Sequence, residues 1–474
     1  MNTHLNTDLQ QIEGLLEKVK VQSLSYLHNL KNRPTTVQHV PVINNKLPAE
    51  GLGADNTLLQ FNKRFEKLMV ASSGPRYWGF VIGGSTPASI AGDWLATVYD
   101  QNPQAMQGQG DVSAVIEKET IYLLLDLFEL PQDFTGGFVT GATLANFTGL
   151  AVARQLIGRQ YGKDFAKAGI APADIKTFTA TPHSSALKSL SMLGAGSSNF
   201  ESIKTLTGNR EAIDVDDLIN KIEQLDDKPF ILISSAGTVN TVDFDDFEAI
   251  ATLKKKYNFW WHVDAAFGAF AACSPAHKYL LNGWQHADSI AIDCHKWLNV
   301  PYENAFFLIK EKHSILQVET FQNSTAPYLG DPRENFNYLN FLPENSRRLR
   351  ALPVWFSLTA YGKDGYQAIV ENCIEMANLF AGYIEQQTGL ELLAPVRLNT
   401  VCFTLKGKGK ENQVQPFLEK INSSGKVFMT PTVYKGRKAI RAAFVNWRTT
   451  AHDVYTAGDV ITKVLQQIKN TVTI

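Results

Sequence analysis

With 474 residues, 44% hydrophobic and 19% charged, the chain can bury a sizeable core and is long enough for roughly two to three domains. Its 45 basic and 46 acidic residues nearly cancel to a net charge of −1, so it lacks the basic footprint that nucleic acid or an anionic membrane would require, and neither partner is expected. Four distant cysteines (Cys273, Cys294, Cys373, Cys402) form no CxxC pair, the polar start from Met1 to Asp8 lacks the pattern of a signal peptide, and no apolar run is long enough to span a membrane, so a cytoplasmic protein with reduced thiols is expected.

The first hundred or so residues read as helices and loops, punctuated by Gly51-Leu52-Gly53 and Gly83-Gly84-Ser85-Thr86-Pro87. A strongly apolar helix is expected from Val115 to Leu130, stopped by Pro131. Short apolar strands then alternate with helices. Phe138-Val139-Thr140 leads into a helix near Ala142 to Tyr161, and Thr177 to Thr181 and Phe230 to Ser234 read as strands. A helix from Asp245 to Tyr257 has two acidic residues at its start and three lysines near its end, which suits the helix dipole. Phe259 to Asp264, Ser289 to Asp293 and Ala305 to Ile309 are further strands. Continuous apolar strands separated by helices indicate an α/β fold with a mostly parallel sheet covered on both faces. From about Tyr361 the texture changes: a helix from Tyr366 to Gln386, a strand from Val401 to Leu405, another helix, a strand from Lys438 to Val445 and a last helix from Ala451 to Ile468. The expected division is an N-terminal helical segment over 1–110, a large domain over 111–360 and a smaller C-terminal α+β domain over 361–474.

Ligands of parallel α/β sheets bind at the C-terminal ends of the strands, and the polar candidates fall there. Thr140-Gly141-Ala142-Thr143 joins a strand to a helix, so its free amides and the Thr143 hydroxyl could hold a phosphate at the positive end of that helix. His183 follows a strand and is either a capping or core histidine or a ring that stacks on a flat ligand. Asp264 ends a buried strand, where a carboxylate needs a cation, either an arginine or a protonated ring nitrogen. Ala265 and Ala266 beside it leave room for a flat ring. Lys296 follows another strand and His295; it either snorkels to solvent or acts as an amine nucleophile of lowered pKa.

Taken in order, the phosphate turn, His183, His262-Val263-Asp264-Ala265-Ala266 and His295-Lys296-Trp297 resemble the pyridoxal phosphate (PLP)-dependent group II amino-acid decarboxylases, which include aromatic-L-amino-acid, glutamate, histidine and diaminobutyrate decarboxylases. The resemblance runs from about Tyr77 almost to the C-terminus. It implies an aspartate-aminotransferase-like fold, PLP as cofactor, a homodimer with active sites at its interface, and conversion of an L-amino acid to the amine and CO2. By the same resemblance Lys296 is the Schiff-base lysine, Asp264 the partner of the pyridine nitrogen, Ala266 the small residue under the ring and His183 the ring stacked on the cofactor. Ala142, Thr143 and His295 match phosphate contacts, Arg441 the arginine that meets the substrate carboxylate, and Tyr77 and Phe80 the substrate pocket. Tyr338, in Asn337-Tyr338-Leu339-Asn340-Phe341, matches a tyrosine of a mobile loop that returns a proton to Cα.

Three departures stand out: Asp293 where the family often has asparagine, Gly237-Thr238-Val239-Asn240 where a Gly-Thr-Thr run is usual, and Gly74-Pro75 in place of His-Pro. Aldehyde synthases and aminotransferases use the same lysine and aspartate, so those reactions stay open. So does a catalytically silent relative that acts as a binding or scaffold protein.

Overall fold

The computed structural model describes residues 2–39, 41–106, 111–170, 175–322 and 336–472, with side chains to residue 468. Helices Thr3–Gln10, Ile12–His28, Ala54–Arg64 and Pro87–Tyr99 form the N-terminal part, as expected. The expected boundary at residue 110 and most of the loop that precedes Asn337 lie outside the described residues.

Seven strands make the large sheet: β1 Phe134–Val139, β2 Lys176–Thr179, β3 Glu201–Ser202, β4 Phe230–Ser235, β5 Phe259–Asp264, β6 Ser289–Asp293 and β7 Ala305–Lys310. Their order is β1-β7-β6-β5-β4-β2-β3. The pairings from β3 through β6 are parallel, and β7 runs antiparallel to both β6 and β1. Side chains alternate between two cores: Ile231, Ile233 and Trp260 face the helix Ala142–Gln160, while Leu232, Trp261 and Val263 face the opposite layer. Each such fully buried side chain contributes roughly 1.5–3 kcal/mol over its exposed state. A second, antiparallel sheet joins β8 Leu390–Leu392, β9 Thr400–Leu405, β10 Thr430–Tyr434 and β11 Arg437–Ala443 in the order β10-β11-β9-β8.

Three local expectations are corrected. The apolar helix runs Ser113–Leu127, not to Leu130, because Glu129 takes a left-handed conformation (φ 53°) ahead of Pro131. The helix expected from Asp245 is Phe247–Lys256, and Asp246 alone caps it, accepting from the Ala249 N–H at 2.9 Å. Asp245 turns inward and accepts from the amides of Ile213 (2.6 Å) and Ser235 (2.7 Å), tying down the end of β4. Its burial pushes that carboxyl up to about 7. The helix expected from Tyr366 begins at Ala351, and Gly362 breaks it with φ 57° and ψ −168°.

Candidate active site

β4, β5 and β6 end side by side, and the chain leaving each end supplies one wall of a cavity of about 280 Å3. His183, Asp264, Ala266, Lys296, Phe80 and Arg441 all line it. Six of the expected site residues, drawn from five regions of the chain, therefore meet in one place.

Asp264 is buried at the end of β5. Its carboxylate accepts from the Ala266 N–H (3.2 Å) and from Asn146 Nδ2 (3.1 Å), and no ion pair to it is found among the described residues. A buried carboxylate with N–H donors but no cation fits a protonated ring nitrogen. Lys296 Nζ lies 2.7 Å from Asp293 and 5.8 Å from the centre of the Phe267 ring.

Asp293 explains itself in this geometry. Its Oδ1 accepts from the Ala142 N–H at 2.6 Å and its Oδ2 pairs with Lys296. The carboxylate thus sits at the positive end of the helix Ala142–Gln160, the place read from sequence as a phosphate site. The Ala142 amide is committed to Asp293, while Thr143 supplies one of the first-turn amides that no preceding turn can satisfy. Gly141 is extended (φ −176°), and a β-carbon there would meet nothing closer than 3.9 Å, so no backbone constraint demands this glycine. His295 donates from Nδ1 to the Asn304 carbonyl (2.9 Å), stacks on Tyr302 at 4.3 Å and turns Nε2 to 3.7 Å from Asp293. Desolvation lowers its pKa first, with Asp293 pulling the other way.

His183 caps a helix, as one of its two sequence readings had it, and also reaches the cavity. It caps the helix Ser184–Met192, accepting at Nδ1 from the Ser185 N–H (3.2 Å), and it lines the cavity. Desolvation holds its pKa below the ordinary histidine value against the pull of Asp264.

Thr238 is not free to donate to a ligand. Its hydroxyl is 2.7 Å from buried Glu211, which also takes Thr241 Oγ1 (2.6 Å), Thr241 N (3.2 Å) and Asn240 Nδ2 (3.1 Å). The altered run Gly237-Thr238-Val239-Asn240 thus serves an internal carboxylate. Arg441, on β11, donates from Nη1 to the Val239 carbonyl (2.8 Å), while its buried Nε has no partner among the described residues. An arginine so placed is suited to an incoming carboxylate.

The N-terminal segment closes the cavity. Phe80 (φ 56°) and Val81 (φ 59°) are left-handed at its wall, a conformation that costs roughly 1–3 kcal/mol per residue and persists only where the surroundings enforce it. Tyr77 does not line the cavity; it stacks on Phe428 at 4.6 Å, and Phe428 in turn touches Phe80. Gly83 donates to the His295 carbonyl, and a β-carbon on it would lie 1.6 Å from the Lys296 carbonyl oxygen. Gly83→Ala must therefore displace the lysine loop. The expected cost is about 3 kcal/mol in stability together with loss of most cofactor binding, read by thermal melts and PLP titration. Unchanged values for both would show that the contact can relax.

Tyr338 is not brought to this site within one chain. It is fully buried with Phe336 and Phe341, its ring 4.7 Å from the Arg347 guanidinium, and it borders a different cavity. Arg347 is locked there by a two-pronged pair with buried Glu117 at 2.8 and 3.0 Å. An aromatic cluster beside a buried ion pair thus holds the ring that the sequence suggested for a mobile loop.

Asn146 and Ser185 went unread in the sequence. The available signal for Asn146 was an amide four residues after Ala142, where a side chain faces back toward the phosphate turn.

The family model described as the pyridoxal-dependent decarboxylase conserved domain matches residues 37–406, well over half the chain. An aromatic-L-amino-acid decarboxylase of Bacillus atrophaeus is 26% identical, over 96% of this chain and 95% of its own. A phenylacetaldehyde synthase of a Rosa hybrid cultivar is 26% identical, over 84% of this chain and 81% of its own. The crystal structure of Oryza sativa TDC with PLP and tryptamine superposes with a TM-score of 0.88, at 21% identity, covering 97% of this chain and 98% of that one.

Proposed function

Because this chain belongs to the pyridoxal-dependent decarboxylase family, with a pyridoxal group as the family's cofactor, we propose that it is a PLP enzyme converting an L-amino acid to the amine and CO2. The observation that carries this reading is the meeting of Lys296, Asp264, His183 and Arg441 around one cavity. When bound, the cofactor supplies an aldehyde carbon that captures amines and a ring that withdraws electrons. Lys296 would hold the cofactor through its amine, and Asp264 would face the ring nitrogen and hold a proton there. His295 and the Thr143 amide hold the phosphate, with Asp293 setting the charge that they must balance. Ala266 would leave room for the flat ring, and His183 would pack against it. Arg441 takes the substrate carboxylate, and Phe80 and Val81 exclude water from the cleft. Decarboxylation consumes one proton per turnover, and His183, which lines the cleft, would take that proton from solvent and pass it to Cα.

A panel of aromatic, acidic and diamino L-amino acids, assayed for CO2 and amine with PLP present, tests the proposal. Equal amounts of both from at least one substrate are expected. No CO2 from any of them, with cofactor bound, would sink it. One observation favours a second reading, conversion to an aldehyde: Tyr338 is buried beside Arg347 and does not reach the cavity of its own chain. The aldehyde is two electrons more oxidised than the amine, so this outcome consumes dioxygen and water and releases ammonia and hydrogen peroxide. Aldehyde, ammonia and hydrogen peroxide in place of amine would identify it.

The same reading includes a homodimer. In support, Leu5, Leu9 and Leu59 on the N-terminal helices are each more than half exposed, an apolar surface suited to a second copy. Light scattering giving twice the 52.6 kDa chain mass is expected. No described helix is long and apolar enough to cross a membrane. A reducing, cytoplasmic setting is proposed from the four buried free cysteines.

A further inference from the structure

A continuous buried chain of hydrogen bonds runs behind the cavity. Trp260 Nε1 lies 2.8 Å from Ser289 Oγ, which lies 2.7 Å from His262 Nδ1. His262 Nε2 is 2.8 Å from Asn146 Oδ1. Asn146 Nδ2 is 3.1 Å from both Asp264 Oδ2 and Ser185 Oγ, and Ser185 Oγ is 2.7 Å from His183 Nδ1. Asn146, His262 and Ser289 are fully buried.

The direction of every bond in this chain follows from two groups that cannot change role. Indole N–H only donates, so the Ser289 hydroxyl receives from Trp260 and passes its own hydrogen to His262 Nδ1. An ionised carboxylate only accepts, so the nitrogen of Asn146 must face Asp264 and its oxygen must face His262. His262 then carries its proton on Nε2 and donates it to Asn146. Burial keeps this imidazole neutral, lowering its pKa to about 4. The second N–H of Asn146 fills Ser185 Oγ, which leaves the Ser185 hydroxyl hydrogen for His183 Nδ1. The Ser185 backbone N–H points at the same nitrogen. His183 Nδ1 is thus an acceptor twice over, and the ring proton stands on Nε2, the opposite edge of a ring that lines the cavity.

We propose that Asn146 is the positioning residue of this site: one amide group fixes the Asp264 carboxylate for the ring nitrogen and, through Ser185, holds His183 as the Nε2–H tautomer with its proton toward the cleft. The inference rests on the pyridoxal reading for its purpose, though not for its geometry. Three of the amide's four hydrogen-bonding directions are used, two as donor and one as acceptor, so no other side chain of similar size reproduces it. Aspartate would place a second carboxylate against Asp264, and leucine would leave Asp264 Oδ2 and His262 Nε2 without the partner that Asn146 gives them. Gly149 is part of the arrangement, because a β-carbon there would lie 2.8 Å from Ser289 Oγ and 2.9 Å from His262 Nδ1.

The test is 15N NMR of histidine-labelled full-length protein without cofactor, with His183 assigned from its absence in His183→Gln. The wild type should show His183 protonated on Nε2 and bare on Nδ1. Asn146→Leu should mix the two tautomers and weaken PLP binding by roughly tenfold or more, the loss of one hydrogen bond to a charged group. Ser185→Ala removes the hydroxyl link and leaves the backbone N–H aimed at Nδ1, so it should weaken the tautomer preference less than Asn146→Leu does and leave PLP affinity within about twofold, since Asp264 keeps its donor. His183 protonated on Nδ1 in the wild type, or an unchanged tautomer in both variants, would overturn the proposal. A wild type with the stated tautomer that fails to bind PLP at all would instead remove the pyridoxal reading and leave the hydrogen-bond assignment standing.

Discussion

Lys296→Ala should yield a protein that takes up PLP only loosely, lacks the visible absorbance of a lysine-bound cofactor and turns over substrate at least roughly 10³-fold more slowly. The side chain has a second role, because its ammonium neutralises Asp293 at 2.7 Å. Removing it strands a buried carboxylate whose remaining hydrogen bond comes from the Ala142 amide. A stability loss of about 3 kcal/mol is expected from that alone. Two further variants separate the roles. Lys296→Arg keeps a cation beside Asp293 but has no amine able to form an imine, so it should be nearly as stable as wild type and equally colourless. Lys296→Ala combined with Asp293→Asn should regain most of the lost stability and none of the colour. Covalent PLP in Lys296→Ala, trapped by borohydride and located by peptide mapping, would assign the anchor to another lysine.

How much of this was legible in the sequence depended on whether neighbours along the chain decide the outcome. The strands β4 to β7 were readable because each is an unbroken apolar run, and only burial on both faces produces such a run. Asp264, His183 and Lys296 were readable because the end of a parallel strand is a place that the fold dictates. Asp293 was visible as a departure, yet its role was not, since its partner Ala142 lies on a helix 151 positions earlier. Asp245 was misread for the same reason: a helix-capping aspartate and an inward-turned one look alike until Ile213 and Ser235 are placed beside it. The Asn146 network was invisible because it joins residues on two helices and two strands. Tyr338 depended on a long-range competition, in which the buried Arg347–Glu117 pair supplies a cation for the ring to rest on.

Asp264→Asn should leave PLP bound to Lys296 and the fold intact, but lower kcat by about 10²–10³ with little change in KM. The carboxylate is buried, without an ion-pair partner among the described residues, so its charge is available to keep a ring nitrogen protonated. An asparagine keeps the shape and loses the charge. It also brings an NH2 group to a position where Asn146 already offers one, and if its oxygen takes the Asn146 bond, its own NH2 faces the ring nitrogen. That nitrogen is then left bare and accepts a hydrogen bond instead of carrying a proton. The electron-withdrawing power of the ring falls, and the effect is confined to the step in which charge builds at Cα, which is why kcat and not KM should respond. The cofactor's absorbance should change its pH dependence in parallel, because ring-nitrogen protonation now titrates near its value in water. Activity within about threefold of wild type, with PLP bound, would strike Asp264 from the mechanism, since a purely structural carboxylate tolerates its own isostere where a charge-bearing one does not.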